Sequence, residues 1–152
     1  MNKTEILALL PYSTPFLFVD EILEIDENKV IGTFTYSSAL DFYKGHFKDH
    51  PITPGVILTE TMAQIGLVCL GIYLSNIIEN DNDINKLSNV MLTSTAIEFL
   101  KPVYPEDMVT VHGEKVYFRF NKLKCNVQML NAKGEIVCKG TIAGMVNRKS
   151  NG

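Results

Sequence analysis

A histidine and a glutamate, fourteen residues apart, are the side chains of this sequence best suited to proton transfer. His46 lies in the segment Gly45-His46-Phe47, and Glu60 lies within an otherwise apolar run. A histidine imidazole ordinarily titrates near neutral pH, so it can serve as a general base. A carboxyl on an apolar surface keeps its proton to a higher pH and can serve as a general acid. The pair could therefore take a proton from one substrate atom and give one to another.

Glu60 needs an explanation because a carboxylate is rarely left on the apolar face of a helix. If a helix begins near Thr53, the residues three and four positions from Glu60 share its face. They are Val56, Ile57, Ala63 and Gln64. Only Gln64 is polar, so we expect Glu60 to face a pocket, with Gln64 beside it as a substrate-binding residue.

The start of the same helix could bind a developing negative charge. Thr53 suits the N-cap, and Pro54 suits the first helical position because its missing N–H would have no partner there. Gly55 lets the backbone approach a ligand closely. The free N–H groups of Gly55 and Val56 would then point outward at the positive end of the helix dipole and could form an oxyanion hole.

Composition indicates one globular domain, spanning residues 1–150. The chain has 152 residues, of which 46% are hydrophobic and 20% charged, enough for a sizeable core. The first ten residues do not resemble a signal peptide. The longest apolar run, residues 65–74, is shorter than the ~20 residues of a membrane span. We therefore expect a cytoplasmic protein without membrane association.

Charge and cysteine content argue against a nucleic-acid-binding protein and against a metal-binding or disulfide-bonded set of cysteines. The net charge is −3 and only Arg119 and Arg148 are arginines, which argues against nucleic-acid binding. Cys69, Cys125 and Cys138 have no metal-type spacing and lie in apolar runs, so we expect three buried, unpaired cysteines.

Periodicity and turn signals predict an α+β domain. A short helix over residues 2–10, capped by Asn2, precedes a hairpin of strands 16–24 and 29–36. A long helix over residues 54–78 is apolar on all sides from residue 65, so it must be wrapped. A polar loop over residues 79–89 follows, and then strands over residues 90–99, 108–118, 120–130 and 135–146. This order predicts a curved antiparallel sheet packed around one helix.

Several stretches together match a known family. Gly45-His46-Phe47, Pro51, Pro54-Gly55-Val56, Glu60 and Ala63-Gln64 fit the pattern GHFxxxPxxPGVxxxExxAQ, and residues 10–20 and 99–107 fit two further family stretches. The chain thus resembles the bacterial (3R)-hydroxyacyl-[acyl-carrier-protein] dehydratases of FabZ type over nearly its whole length. The related dehydratases that also isomerise the double bond carry Asp at the position of Glu60 and Cys at that of Val56, and are less similar.

The resemblance implies a hot-dog fold and a homodimer, whose further assembly stays open, in which each site takes His46 from one subunit and Glu60 from the other. It implies dehydration of (3R)-3-hydroxyacyl groups on acyl carrier protein, without metal or organic cofactor. His46 would be the base and Glu60 the acid, while Gly55, Val56, Phe47 and Gln64 would bind substrate.

Several residues depart from the family pattern. Tyr12-Ser13-Thr14 replace a basic pair, Lys48 replaces a proline and Glu106 replaces a glycine. These departures leave open whether the chain serves fatty-acid synthesis or a polyene or polyketide pathway.

Three alternatives to a dehydratase remain. A hot-dog thioesterase usually places its acid elsewhere and lacks the pairing of His46 with Glu60. A non-catalytic acyl-thioester-binding or assembly subunit would be expected to have lost one of these two residues. A zinc site at His46, Asp49 and His50 lacks a further nearby Cys or His, so His50 is expected to be a loop residue.

The partner implied by the resemblance is acidic, as is this chain. Docking should therefore depend on a local group of lysines rather than on net charge. Lys44 and Lys48 flank His46, and Lys101 lies in the family-like segment near the expected pocket mouth. These three lysines are the predicted contacts with the carrier protein.

Overall fold

The computed structural model describes residues 1–79 and 87–148. Three helical segments and six strands follow one another along the chain. They are α1 (Lys3–Leu9), β1 (Glu21–Ile25), β2 (Lys29–Thr35), α2 (Gly55–Ala63), α3 (Cys69–Glu79), β3 (Leu87–Phe99), β4 (Met108–Arg119), β5 (Lys122–Leu130) and β6 (Ile136–Arg148). A 3-10 turn over Asp41–Lys44 precedes α2, and a π turn over Gln64–Val68 joins α2 to α3.

The strands form one antiparallel sheet in the order β1-β2-β4-β5-β6-β3. The predicted turns connect it as expected. Asp26 accepts hydrogen bonds from the N–H groups of Asn28 and Lys29 between β1 and β2, and Gly134 takes the left-handed conformation between β5 and β6. The Asn2 side chain caps α1 by accepting from the Glu5 N–H at 2.8 Å.

The helical run from Gly55 to Glu79 is the centre of the core. Residues 55–77 are apolar and long enough to cross a membrane, but 72% of the most apolar window is buried inside the protein, so this is the core helix. At the π turn, a Cβ added to Gly113 of β4 would lie 2.4 Å from the Gly66 carbonyl oxygen. Helix backbone therefore lies directly on sheet backbone, and the sheet wraps the helix in the expected hot-dog fold.

The three cysteines lie in this core as predicted. Cys69, Cys125 and Cys138 are free thiols and fully buried. Burial raises the pKa of each to about 12. They pack as small apolar side chains.

The first strand is shorter than predicted. β1 begins only at Glu21, because the backbone groups of Phe16 and Phe18 bond to a helix side chain. The Phe18 N–H donates to Gln64 Oε1 at 2.8 Å, and the Phe16 carbonyl accepts from Gln64 Nε2 at 3.0 Å. The long helix is also interrupted by the π turn, which the prediction of one continuous helix missed. Most of the predicted loop over residues 79–89 lies outside the described residues.

The two edges of the sheet differ in protection. β1 is five residues long and carries Glu21 and Glu24, as expected of an edge that stays in solvent. β3 is thirteen residues long and has no lysine, arginine or proline. From Met91 to Leu100 every residue is exposed or half-buried. A long edge of this kind, on which Glu98 is the one charged residue, is typical of a strand that another chain covers.

Candidate active site

His46 is held in a loop between the 3-10 turn and α2. Its Nδ1 lies 2.8 Å from the carbonyl oxygen of Ile52, and its own carbonyl accepts from the Ile52 N–H at 2.9 Å. A carbonyl can only accept, so the hydrogen of the neutral imidazole is on Nδ1. Nε2 is then the basic nitrogen, as proton abstraction requires.

Phe47 covers one face of the His46 ring. The two rings are stacked, with centroids 4.0 Å apart and planes 28° apart. The Phe47 side chain is itself 53% exposed. It thus limits the rotation of the imidazole and presents apolar surface at the mouth of the site, consistent with the predicted substrate contact.

The start of α2 differs from the predicted cap. Pro54, not Thr53, occupies the N-cap, and no side chain caps the helix. The Thr53 hydroxyl instead pairs with the Tyr43 hydroxyl, which takes it away from the helix end. Within the described part of the chain, the N–H groups of Gly55 and Val56 have no acceptor. The helix start therefore has free donors for a ligand oxygen, and the predicted oxyanion hole stays a prediction.

A cavity of about 480 Å³ brings His46 and this helix start together. Its lining is mostly apolar and includes His46, Phe47, Ile52, Gly55, Leu58 and Phe99. A Cβ on Gly55 would lie 3.2 Å from the Phe99 ring, so the absence of a side chain keeps this wall open. The Val56 side chain is 77% exposed; only its backbone belongs to the helix start.

Glu60 is half-buried on another side of α2. Burial raises the pKa of its carboxyl, while a hydrogen bond from Gln64 acts in the opposite direction. Desolvation also raises the pKa of Tyr12 to about 12, with a further contribution from Glu60. The carboxyl therefore lies beside a neutral phenol, in surroundings that favour its protonated, proton-donating form.

Gln64 is fully buried, and its amide is completely hydrogen-bonded within the chain. Oε1 accepts from the Phe18 N–H, and Nε2 donates to the Phe16 carbonyl and, at 2.9 Å, to Glu60 Oε2. No amide hydrogen is left for a substrate. The structure thus places this residue behind Glu60, where it orients the carboxyl, whereas the sequence had suggested a substrate contact.

In the described part of the chain, His46 and Glu60 do not line a common cavity. Gly55 and Leu58 line the cavity with His46, and Glu60 does not. At ~100° per residue, Glu60 is rotated by about 200° from Leu58 around the helix. The described chain therefore contains two half-sites, one with His46 and the helix start and one with Glu60 and Gln64.

The predicted docking lysines differ in their surroundings. Lys44 pairs with Asp41 at 3.2 Å, both highly exposed. Lys101 pairs with Glu135 and lines the cavity with His46. Lys48 is exposed next to Phe47. All three stay candidates, and only Lys101 reaches the cavity.

The sequence pointed to His46, Glu60 and the helix start, whose catalytic roles stay predictions, but it did not indicate the groups that orient them. Ile52 acts through a backbone carbonyl, which no residue type signals. The hydroxyl pair of Tyr43 and Thr53 joins residues ten apart in a segment without regular periodicity.

Comparison with protein families and curated proteins gives a consistent result. Residues 10–146 match the model of the FabA-like domain. A protein of Roseiflexus castenholzii named 3-hydroxyacyl-[acyl-carrier-protein] dehydratase FabZ is 31% identical over 147 residues, covering 93% of this chain and 94% of that protein. A protein of Rhizobium etli with the same name is 37% identical over 150 residues, covering 96% and 89%.

Solved structures show the same fold at low sequence identity. The ApeI:P dehydratase heterocomplex from Xenorhabdus doucetiae aligns with a TM-score of 0.76 at 14% identity, over 95% of this chain and 91% of that one. A hypothetical thioesterase from Streptococcus pneumoniae, solved with coenzyme A, aligns with a TM-score of 0.61 at 21% identity, over 86% and 90%.

Proposed function

The chain belongs to the FabA-like family of dehydratases, and we propose that His46 and Glu60 are the residues with which it removes water from (3R)-3-hydroxyacyl thioesters of acyl carrier protein. The product is the trans-2-enoyl thioester. Its FabZ-named relatives, which match nearly the whole chain, support an enzyme of fatty-acid biosynthesis. This dehydration is a hydro-lyase reaction.

The chemistry divides between the two half-sites. His46 Nε2 takes the proton from the carbon next to the thioester carbonyl, and the electron pair moves toward the carbonyl oxygen. The N–H of Gly55 stabilises the negative charge on that oxygen. Glu60 protonates the departing hydroxyl, which leaves as water as the double bond forms. His46 ends the reaction with one additional proton and Glu60 with one fewer, and exchange with water restores both groups.

A single observation carries the assignment of the base. In the neutral ring, the hydrogen bond between His46 Nδ1 and the Ile52 carbonyl makes Nε2 the nitrogen without a hydrogen, in a cavity that Gly55 also lines. A base and an oxyanion site on adjacent walls are what proton abstraction next to a carbonyl requires.

The separation of the half-sites supports a homodimer. Edge strand β3 exposes Met91, Leu92 and Phe99, and the exposed Leu100 directly follows it. Antiparallel pairing of two β3 edges would cover these side chains and continue the sheet across both chains. Phe99 also lines the His46 cavity, so a partner on β3 lies against that cavity. We infer that the partner supplies Glu60 to it.

The substrate arrives on a carrier protein in the cytoplasm. Lys101 at the cavity, with Lys44 and Lys48 on the His46 side, would meet an acidic carrier and leave the apolar cavity to the acyl chain. Val56 and Phe47 give the entrance an apolar surface. The selectivity for acyl-chain length and type, saturated or polyene, then depends on the shape of the cavity in the assembled dimer.

A mass-spectrometric assay tests the function directly. The purified protein is mixed with carrier-bound 3-hydroxyacyl substrates of several chain lengths and degrees of unsaturation, and intact carrier masses are followed. We expect loss of one water from at least one substrate, and no loss with His46→Ala. Release of free carrier would instead indicate a thioesterase, and an unchanged carrier mass with retained binding would indicate a non-catalytic subunit.

A further inference from the structure

Two hydroxyl groups meet at the base of the loop that carries His46. Tyr43 belongs to the 3-10 turn before the loop, and Thr53 is the last residue before the N-cap of α2. Their oxygens are 2.5 Å apart. Both side chains are buried, Tyr43 with 7% and Thr53 with 3% of its surface exposed. This hydrogen bond therefore joins the two ends of the loop out of reach of solvent.

The peptide unit between Ile52 and Thr53 is bonded on both sides. Its carbonyl oxygen accepts from His46 Nδ1 at 2.8 Å, and its N–H donates to the Val103 carbonyl, also at 2.8 Å. Hydrogen bonds in such a chain polarise one another, so the bond to Val103 strengthens the one to His46. A rotation of this peptide plane would break both. The hydrogen bond of His46 thus depends on the contacts that fix the position of Thr53.

We propose that Tyr43 and Thr53 are positioning residues: their hydroxyl pair fixes the Ile52–Thr53 peptide, which in turn holds His46 with its hydrogen on Nδ1 and Nε2 free. In this role neither hydroxyl exchanges a proton with the substrate. The catalytic consequence rests on the proposed function. The tautomer of His46 is a property of the protein alone and can be measured without substrate.

The same chain offers a matched control pair. The Tyr36 hydroxyl donates to Thr61 Oγ1 at 2.6 Å, and both side chains are fully buried. This second pair joins the residue that follows β2 to α2, and its hydroxyl groups have no described bond to the His46 loop. If hydroxyl pairs only stabilise the fold, removing either should have the same effects. If the first pair positions His46, only its removal should change the imidazole.

The first arm of the experiment uses double variants that keep the fold. Tyr43→Phe with Thr53→Val removes both hydroxyls, and so leaves no buried hydroxyl unsatisfied. Tyr36→Phe with Thr61→Val does the same at the control pair. Circular dichroism and thermal unfolding confirm folding. Two-bond 15N–1H spectra, assigned with His46→Ala, then report which ring nitrogen carries the hydrogen.

We expect the Nδ1–H form of His46 in the wild type and in the control variant, and a mixture of both tautomers in the Tyr43/Thr53 variant. An unchanged tautomer in the latter would overturn the proposal. So would an equal change in the control variant, because the effect would then be general loosening of the core.

The second arm measures dehydration. The Tyr43/Thr53 variant should lose about tenfold in kcat with KM within about twofold, as misorientation of one catalytic group does. Thr53→Ser keeps the hydroxyl and should retain most of the wild-type kcat. A loss confined to KM would contradict positioning of the base. If the wild type dehydrates no substrate, the proposed function fails, while the tautomer measurement still decides this inference.

Discussion

Gln64 donates a hydrogen bond to Glu60 across one turn of the central helix, with 2.9 Å between Nε2 and Oε2. The same amide binds the backbone of Phe16 and Phe18. One buried side chain therefore fixes both the direction of the candidate acid and the path of the segment that precedes β1.

Replacing Gln64 tests this double role. Gln64→Leu leaves the buried Phe18 N–H and Phe16 carbonyl without partners, which should cost roughly 3 kcal/mol of unfolding free energy. It also removes the hydrogen bond that stabilises ionised Glu60, so the pKa of that carboxyl should rise further. Denaturant unfolding and a carboxyl titration by 13C NMR measure the two effects. An unaltered Glu60 titration would show that the hydrogen bond is unimportant to the acid.

The acid and the base should each be indispensable for turnover. His46→Ala and Glu60→Gln should each lower kcat by ~10²-fold or more and leave the fold intact, because each removes one proton transfer. The measurement is single-substrate dehydration kinetics with circular dichroism as the folding check. A variant that turns over at near-normal rate takes its residue out of the mechanism.

Mixed dimers should regain activity. When His46→Ala and Glu60→Gln chains exchange subunits, both lesions fall in one site of the mixed dimer and the other site is intact. A 1:1 mixture should recover about a quarter of wild-type activity, because about half of the dimers are mixed and each has one site. Differently tagged chains verify exchange. If exchanged mixtures remain as inactive as the parents, Glu60 acts on the His46 of its own chain.

The raised pKa of Glu60 predicts a pH-dependent stability difference. A carboxyl with a folded-state pKa above its unfolded-state value stabilises the fold fully below the unfolded value, and this contribution is lost as pH rises through the folded value. The unfolding free energy of wild type minus that of Glu60→Gln should therefore fall as pH rises from the ordinary glutamate range upward. Urea unfolding of both proteins across this pH range measures the difference.

Glu106 provides the control of opposite sign. It is exposed and accepts a hydrogen bond from the Ser38 N–H at 2.6 Å, which lowers the pKa of its carboxyl. The corresponding difference for Glu106→Gln should be present above the ordinary glutamate pKa and be lost as pH falls. Parallel curves for the two variants would mean that burial does not control Glu60.

Carrier docking should depend on the lysines on the His46 side. Replacing Lys44, Lys48 and Lys101 by Gln should raise KM for a carrier-bound substrate by about tenfold at low salt, an effect that salt reduces by screening. Turnover of a short soluble thioester should be nearly unchanged. Titration of KM against ionic strength is the measurement.

A second basic group supplies the matched comparison. Arg119, Lys122 and Lys124 lie at or near the β4–β5 turn, roughly 25 Å along β5 from Leu130 at about 3.3 Å per residue. Their replacement by Gln removes the same charge. If the KM for a carrier-bound substrate rose more in this variant than in the Lys44, Lys48 and Lys101 variant, the carrier would dock at the tip of the β4–β5 hairpin.

The sequence predicted the order of elements because hydrophobic periodicity and turn residues carry that information. It also pointed to Glu60, since a carboxyl on the apolar face of a helix is energetically unfavourable unless it has a function or a partner. The prediction from sequence was wrong where a residue's usual local role is replaced by a contact with a residue distant in the sequence. Thr53 was a good N-cap by type, but the Tyr43 hydroxyl binds its side chain.

The π turn was unpredictable for a related reason. From residue 65 onward the helix is apolar on every side, so a change of helical phase leaves no trace in the pattern. The extended path of Phe16 and Phe18 was likewise indistinguishable from a strand, because its hydrogen-bond partner is Gln64, more than forty residues away.

The contact between Gly66 and Gly113 limits how this protein can move. With backbone against backbone and no side chain between them, the central helix has no compliant layer on which to slide or roll relative to the sheet. Adjustment to acyl chains of different shape would then come from the other walls of the cavity, to which Phe47 and Phe99 belong. The central helix would then keep its position, and the cavity would change its shape through its aromatic side chains.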